Sequence, residues 1–298
     1  MSRKSGTSTA ECLRCGVCHQ DTPHREVLTW EGGRALQCKE CRLIAVDSVG
    51  GRPASHRFDA DYNELLLRSE GRRLRIFDRE IDKLQPYVQF DGATVLDVGF
   101  GSGTFLKSAR SRGASVYGLE VNEASLQLAR EQDLGNVSLY DGDLAHTDLG
   151  VESFDLITFW DSLQCMADPF KQLNEAFGML RPGGVLVVQV PRHEALSLRY
   201  SQALSILHKE LARAVLHMPA ARFVFSRELA LRVVRLAGFT ILDAHGGRLP
   251  RILPKRPTSL RALALDTCEM GLAWLPVLAG TRGPSYVYAR KPTGPEPC

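Results

Sequence analysis

The segment Val95-Leu96-Asp97-Val98-Gly99-Phe100-Gly101-Ser102-Gly103 constrains this chain more than any other. Thr94 to Val98 is apolar and rich in β-branched residues, which predicts a buried strand. Thr104 to Arg112 carries Phe105, Leu106 and Ala109 at helical spacing. Between the two, three glycines at alternate positions let the backbone turn sharply and approach a ligand with no Cβ in the way. Strand, glycine turn and helix in this order predict a nucleotide-like cofactor at the turn. The spacing differs from the Gly-x-Gly-x-x-Gly of a pyrophosphate site.

Further elements follow at regular intervals. Ser115 to Glu120 predicts a second strand ending in an acid, seventeen residues past Gly103. A carboxylate there can accept hydrogen bonds from both hydroxyls of a ribose. Asn122 then caps a helix bearing Ala124, Leu126, Leu128 and Ala129, and Val137 to Tyr140 is a third strand. It leads into Asp141-Gly142-Asp143-Leu144, whose acid suits the exocyclic amine of an adenine. Phe154 to Trp160 is a fourth strand, Phe170 to Leu180 a helix, Arg181-Pro182-Gly183-Gly184 a turn and Val185 to Val190 a fifth strand. Ser226 caps another helix, Phe239 to Ala244 is a sixth strand and Ser285 to Ala289 a seventh. Strand and helix alternating in this way predict an α/β fold with a doubly wound sheet, binding its ligands at the carboxyl ends of the strands.

The second constellation lies near the amino terminus. Cys15-x-x-Cys18 and Cys38-x-x-Cys41 are nineteen residues apart, the spacing of a two-knuckle structural zinc site. Arg25 to Trp30 and Arg34 to Gln37 flank Glu31-Gly32-Gly33 as a hairpin, so residues 1–55 read as a small zinc ribbon. Cys12 is a fifth candidate ligand, and pairing of the same thiols in disulfides is the competing use. A unit of about forty residues has too little apolar surface to fold without its metal.

Taken together, VLDVGFGSG, GLEVN, GDL at 142–144, FDLITFWDSLQ, DPF at 168–170, LRPGG at 180–184 and FSRELALRVVRLAGF at 225–239 resemble the class I S-adenosylmethionine-dependent methyltransferases, from Val95 to about Lys291. The resemblance implies a seven-stranded methyltransferase sheet over residues 91–291 and S-adenosylmethionine as cofactor. By similarity, Asp97 with Gly99, Phe100, Gly101 and Gly103 would hold the methionine portion. Glu120 would hold the ribose with Val121 beside it, and Asp143 with Leu144 the adenine; Phe159 and Trp160 would flank the sulfonium. Ribbons of this spacing precede the catalytic domain in many such enzymes, which favours the inner four cysteines as zinc ligands. The chain departs from the family at Phe100, where Cys, Ala or Pro is usual, and at Gln164-Cys165, where many members carry Glu-His. The second departure puts metal-assisted catechol methylation in doubt.

Residues 56–90 carry two amphipathic helical patterns that would cap the cofactor. After Pro191-Arg192-His193 comes a helical insertion, about 194–217, where related enzymes commonly place a substrate lid. His193 would face the transferred methyl as general base for a hydroxyl acceptor, or be a loop histidine without chemistry. His208 and His217 belong to the lid, Leu260 to Leu278 reads as helical, and residues 292–298 form a tail.

At 298 residues the chain can bury an α/β core plus one small module. Its net charge of +3 comes from 37 basic residues spread along the sequence, which makes nucleic acid an unlikely partner. An RNA-binding ribbon would need Arg14, Arg25, Arg34, Lys39 and Arg42 on one face, yet they are scattered over both knuckles and the hairpin. No apolar run follows the first ten residues, and no stretch reaches the ~18 apolar residues of a membrane span, so a cytoplasmic protein is expected. The expected function is methyl transfer to a small-molecule acceptor, by O- or C-methylation. RNA base methylation and a non-catalytic cofactor-binding scaffold are the alternatives, and oligomeric state is left open.

Overall fold

The computed structural model describes residues 11–48, 64, 66–132, 134–193, 199, 201–203, 205, 221–247 and 282–294. Most of the expected lid, the helical pattern at 260–278, the start of the cap and the end of the tail lie outside the described residues.

The amino-terminal unit is antiparallel: β1 (Glu11–Arg14), β2 (Asp21–Trp30), β3 (Gly33–Cys38) and β4 (Ile44–Ser48) pair in that order. The predicted hairpin is present with longer arms, Trp30 opposite Gly33. A Cβ on Gly33 would lie 2.6 Å from the Trp30 ring, so the indole folds over the turn only because that residue is glycine.

The larger sheet is built from β5 (Thr94–Val98), β6 (Ser115–Glu120), β7 (Val137–Asp141), β8 (Phe154–Trp160), β9 (Leu180–His193), β11 (Thr240–Gly246) and β12 (Arg282–Arg290). Their order is β11-β12-β9-β8-β5-β6-β7. Strands β5 to β9 run parallel, while β12 is antiparallel to both β9 and β11. The helices are α1 (Glu70–Leu84), α2 (Thr104–Ser111), α3 (Glu123–Glu131), α4 (Pro169–Met179) and α5 (Arg227–Leu236). Asn122, Asp168 and Ser226 cap α3, α4 and α5 by accepting the backbone N–H three residues on, each cap contributing about 1 kcal/mol.

Strand periodicity divides the core into two layers. Ile157, Phe159, Leu186 and Val188 face one side with α4 and α5 residues; Leu156, Trp160, Val185 and Val187 face the other with Phe77, Ile81 and Leu84 of α1. Of the two helices expected before the sheet, α1 is the long one, and among the described residues 64 and 66–68 ahead of it are helical. Its docking is fixed by polar contacts as well as by burial. Ser108 donates to Asp78 at 2.7 Å, Lys107 pairs with Glu70 at 2.6 Å, and the Tyr288 hydroxyl of β12 donates to buried Glu80.

Two boundaries differ from the sequence reading. The expected Arg181-Pro182-Gly183-Gly184 turn is a bulge inside β9: Leu180 lies opposite Phe154 and Val185 opposite Leu156. The same strand continues to His193 because β12 pairs along its whole second half, up to Arg282 opposite His193.

The ribbon is not a separate bead. A short strand β10 (Phe223–Val224), from the far end of the chain, pairs with β4 and becomes the fifth strand of the ribbon sheet. Cys15, Val17, Cys38, Cys41 and Leu43 pack in the same apolar core as Leu163 and Phe225. The His19 ring lies 4.6 Å from that of Phe170.

Candidate active site and metal centre

Strand order reverses between β5 and β8, and ligands in such sheets bind outside the carboxyl ends at that reversal. A cavity of about 390 Å³ lies there. Its floor is the turn Val98 to Gly101. Gly99, Gly101 and Gly103 all adopt left-handed φ, at 76°, 58° and 73°. At Gly99 the requirement is twofold, since a Cβ would also lie 2.5 Å from Cβ of Ser162. That approach is held by the Ser162 hydroxyl, which donates to the Val98 carbonyl at 2.5 Å and ties the ends of β5 and β8 together.

Glu120 ends β6 and is buried to 9 % exposure. One carboxylate oxygen accepts the N–H groups of Val121 and Asn122, both at 2.9 Å; the other accepts that of Gly101 at 3.0 Å. Burial raises its pKa while these three N–H groups oppose the rise. Asp143 lines the next wall, one oxygen accepting from Ala145 N–H at 2.9 Å and lying 2.7 Å from His146 Nδ1. Phe100 is accommodated by a second glycine: a Cβ on Gly118 in β6 would meet the Phe100 ring at 2.6 Å. The bulky residue in the glycine turn is thus matched by a strand residue without a side chain.

Of the residues expected at the cofactor, Gly99, Phe100, Gly101, Glu120, Val121, Asp143 and Trp160 line this cavity, whereas Asp97, Gly103, Leu144 and Phe159 do not. Asp97 lies beneath the turn, 1 % exposed, accepting from the Thr158 hydroxyl at 2.8 Å. Burial pushes its carboxyl up to about 7, against the opposing pull of that hydrogen bond and of Arg73. Phe159 and Trp160 are neighbours on one strand and so face opposite layers; only Trp160 reaches the cavity. Leu144 is buried in the core beside Phe159, and Gly103 starts α2 against Leu134. His193 is the last residue of β9, and its side chain lies outside the described residues.

Several cavity residues were not singled out for a role from sequence. Arg73 of α1 enters with its Nε buried and unpaired, its guanidinium 5.5 Å from the Phe77 ring. Gln172 of α4 lines the cavity with its Oε1 buried and unpaired. Asp161 and Ser162 follow β8, and Arg222 precedes β10. Nothing local to α1 or to residue 222 marks either arginine. Asp161 did carry a signal, an acid directly after the strand at the reversal point.

Four sulfurs gather in the ribbon. Sγ atoms of Cys15, Cys18, Cys38 and Cys41 all lie within 4.8 Å of one another. Cys15 and Cys41 are 3.4 Å apart and Cys18 and Cys38 4.0 Å, with Thr22 Oγ1 3.2 Å from the Cys38 sulfur. A tetrahedron with Zn–S bonds of about 2.3 Å has edges of about 3.8 Å, whereas a disulfide needs about 2.05 Å. The four thiols are unbridged, and their arrangement fits a zinc ion. Cys12 is exposed on β1 and lies outside the cluster.

Residues 96–188 match the family described as a methyltransferase domain. The fold and this match agree in placing a methyltransferase domain over residues 96–188. Among curated proteins, a ubiquinone biosynthesis O-methyltransferase of Haemophilus ducreyi is 30 % identical over 103 residues, 32 % of this chain and 44 % of the relative. A probable S-adenosylmethionine-dependent methyltransferase of Mycolicibacterium smegmatis is 31 % identical over 160 residues, 53 % of this chain and 62 % of the relative. The chain therefore spans about half the length of the curated relatives it matches. In fold it is similar to the crystal structure of a proposed sarcosine dimethylglycine methyltransferase from Galdieria sulphuraria, with TM-score 0.58, 19 % identity, and 74 % of this chain and 86 % of that one covered.

Proposed function

We propose that this chain transfers the methyl group of S-adenosylmethionine to a small-molecule acceptor. The observation that carries this reading is Glu120, whose carboxylate is aimed by three backbone N–H groups at the wall of a cavity floored by the glycine turn. An acceptor-only group with its orientation already set suits a ribose diol. Asp143 takes the adenine amine, and Arg73, whose Nε is buried without a hydrogen-bond partner, offers two-pronged binding to the methionine carboxylate. The bound cofactor supplies an electrophilic methyl on a sulfonium; the protein positions it and keeps water away.

The cavity volume of about 390 Å³ falls in the range of small-ligand sites. On the ribbon, Arg34 is paired with Glu11 at 2.8 Å and Asp47 at 2.9 Å, and Arg25 donates to Gln37 at 2.6 Å. The two carboxylates offset the Arg34 charge and so weaken the basic surface that RNA would need. The O-methyltransferase relative supports a hydroxyl acceptor, and among the described residues no helix is long and apolar enough to cross a membrane. Cys15, Cys18, Cys38 and Cys41 would hold one zinc ion with no open position, a structural site.

Incubation with methyl-labelled S-adenosylmethionine, offering total RNA in one tube and a small-metabolite extract in another, tests the reading. Label is expected in the metabolite fraction. Label in RNA, lost when Arg14, Arg25, Arg34, Lys39 and Arg42 are neutralised, would overturn it.

A further inference from the structure

Asp161 stands apart from the other cavity acids. It follows the last residue of β8 with φ at +58°, a left-handed conformation that a non-glycine residue holds only when its surroundings impose it. Three contacts impose it here. Its N–H donates to the Gln189 carbonyl at 3.0 Å, and the Gln164 amide donates to both its carbonyl and its Oδ1, each at 2.8 Å. Its accessible surface opens into the cavity, with protein packed around the rest of the group. Among the described residues, the Arg73 guanidinium from α1 and the Tyr286 hydroxyl from β12 are the charged and titratable groups that act on it. The Gln164 amide can donate to Asp161, which a carboxylate there could not.

From this geometry we infer that Asp161 is the general base of the methyl transfer, and that the acceptor presents a hydroxyl to it. The inference rests on the function proposed above. Gln164 occupies Oδ1, so Oδ2 receives the acceptor O–H. As the acceptor oxygen forms its bond to the sulfonium methyl, the C–S bond breaks with its electron pair returning to sulfur, and the proton passes to Oδ2. S-adenosylhomocysteine leaves as a neutral thioether, and the protonated Asp161 later releases its proton to water. Asp161 is exposed on its cavity side, and the protein packed around the rest of the group pushes its carboxyl up to about 6. It is therefore a stronger base than a fully solvated aspartate, yet still ionised at neutral pH.

The test uses the full chain with its zinc and compares wild type, Asp161→Asn and His193→Asn. Asparagine keeps the hydrogen bond from Gln164 and tolerates the left-handed backbone, so Asp161→Asn should melt like wild type. Titration calorimetry with S-adenosylmethionine should give affinities within about threefold for all three proteins. The small-metabolite extract with labelled cofactor is the acceptor probe, read as initial rate against pH. Wild type and His193→Asn should show a rate that rises through about pH 6. Asp161→Asn should lose that limb and about 10²- to 10⁴-fold in rate, the range of general-base catalysis. Three results would overturn the assignment: an unchanged rate in Asp161→Asn, a large loss of cofactor affinity in that variant, or disappearance of the limb in His193→Asn. If wild type binds the cofactor but labels nothing in the extract, the proposed function fails first, and this assignment with it.

Discussion

The N–H of Val46 donates to the carbonyl of Arg222 at 2.8 Å. Arg222 in turn donates its own N–H to the Gln164 carbonyl at 2.9 Å, so two backbone hydrogen bonds join the ribbon sheet to the residue that holds Asp161. Arg222 itself lines the cavity. The ribbon sheet thus lies directly behind Arg222 of the cavity wall, and a metal held by its cysteines should be felt at the site. Elemental analysis should find one zinc per chain. Chelation should lower the melting temperature and speed amide hydrogen exchange at residues 221–226 as well as in the ribbon. Faster exchange confined to residues 11–48 would show that the two units are uncoupled.

Glu120→Ala removes the acceptor for three buried N–H groups along with the proposed ribose ligand. Hydrogen bonds to a charged group contribute about 1.5 to 3 kcal/mol, so S-adenosylmethionine affinity should fall by at least tenfold. Calorimetric titration giving an unchanged dissociation constant would remove Glu120 from the cofactor site.

Gly99→Ala should damage cofactor binding and stability together, because φ at 76° and the 2.5 Å approach to Ser162 Cβ both resist a methyl group. Adding Ser162→Gly relieves the contact but leaves the backbone strain. Denaturant melts of the single and double variants should therefore show partial recovery, and full recovery would mean that the left-handed turn is not required.

Asp97 gives stability a pH dependence of unusual sign. Its carboxyl titrates near 7 when folded and near 3.9 when unfolded, so between those values the folded chain holds a proton that the unfolded chain has released. This contribution is complete below about pH 4 and is lost as pH rises through about 7. At about 1.4 kcal/mol per pH unit it amounts to at most about 4 kcal/mol. Asp97→Asn, which can still accept from Thr158, should flatten the melting-temperature profile over that window. A profile that still falls as steeply as wild type would place the titration elsewhere.

Local pattern alone determined the elements of the larger sheet. Thr94–Val98, Ser115–Glu120 and Phe154–Trp160 are strands as read, because a parallel strand buried on both faces is mostly apolar and is recognised without knowing its partners. The four cysteines were equally legible, since two residues between thiols is a property of the chain itself. Tertiary structure decided what depends on residues far apart in sequence. The pairing of Phe223–Val224 with β4, the entry of Arg73 and Arg222 into the cavity, and the match of Phe100 to Gly118 carry no local periodicity. The same holds for Phe159 and Trp160: both are large and apolar, and only the direction in which the sheet faces its two helical layers sends one to the core and the other to the site. Burial and charge around a group come from the assembled fold, so an aspartate held near 7 and another near 6 look alike in sequence and differ only once their neighbours are in place.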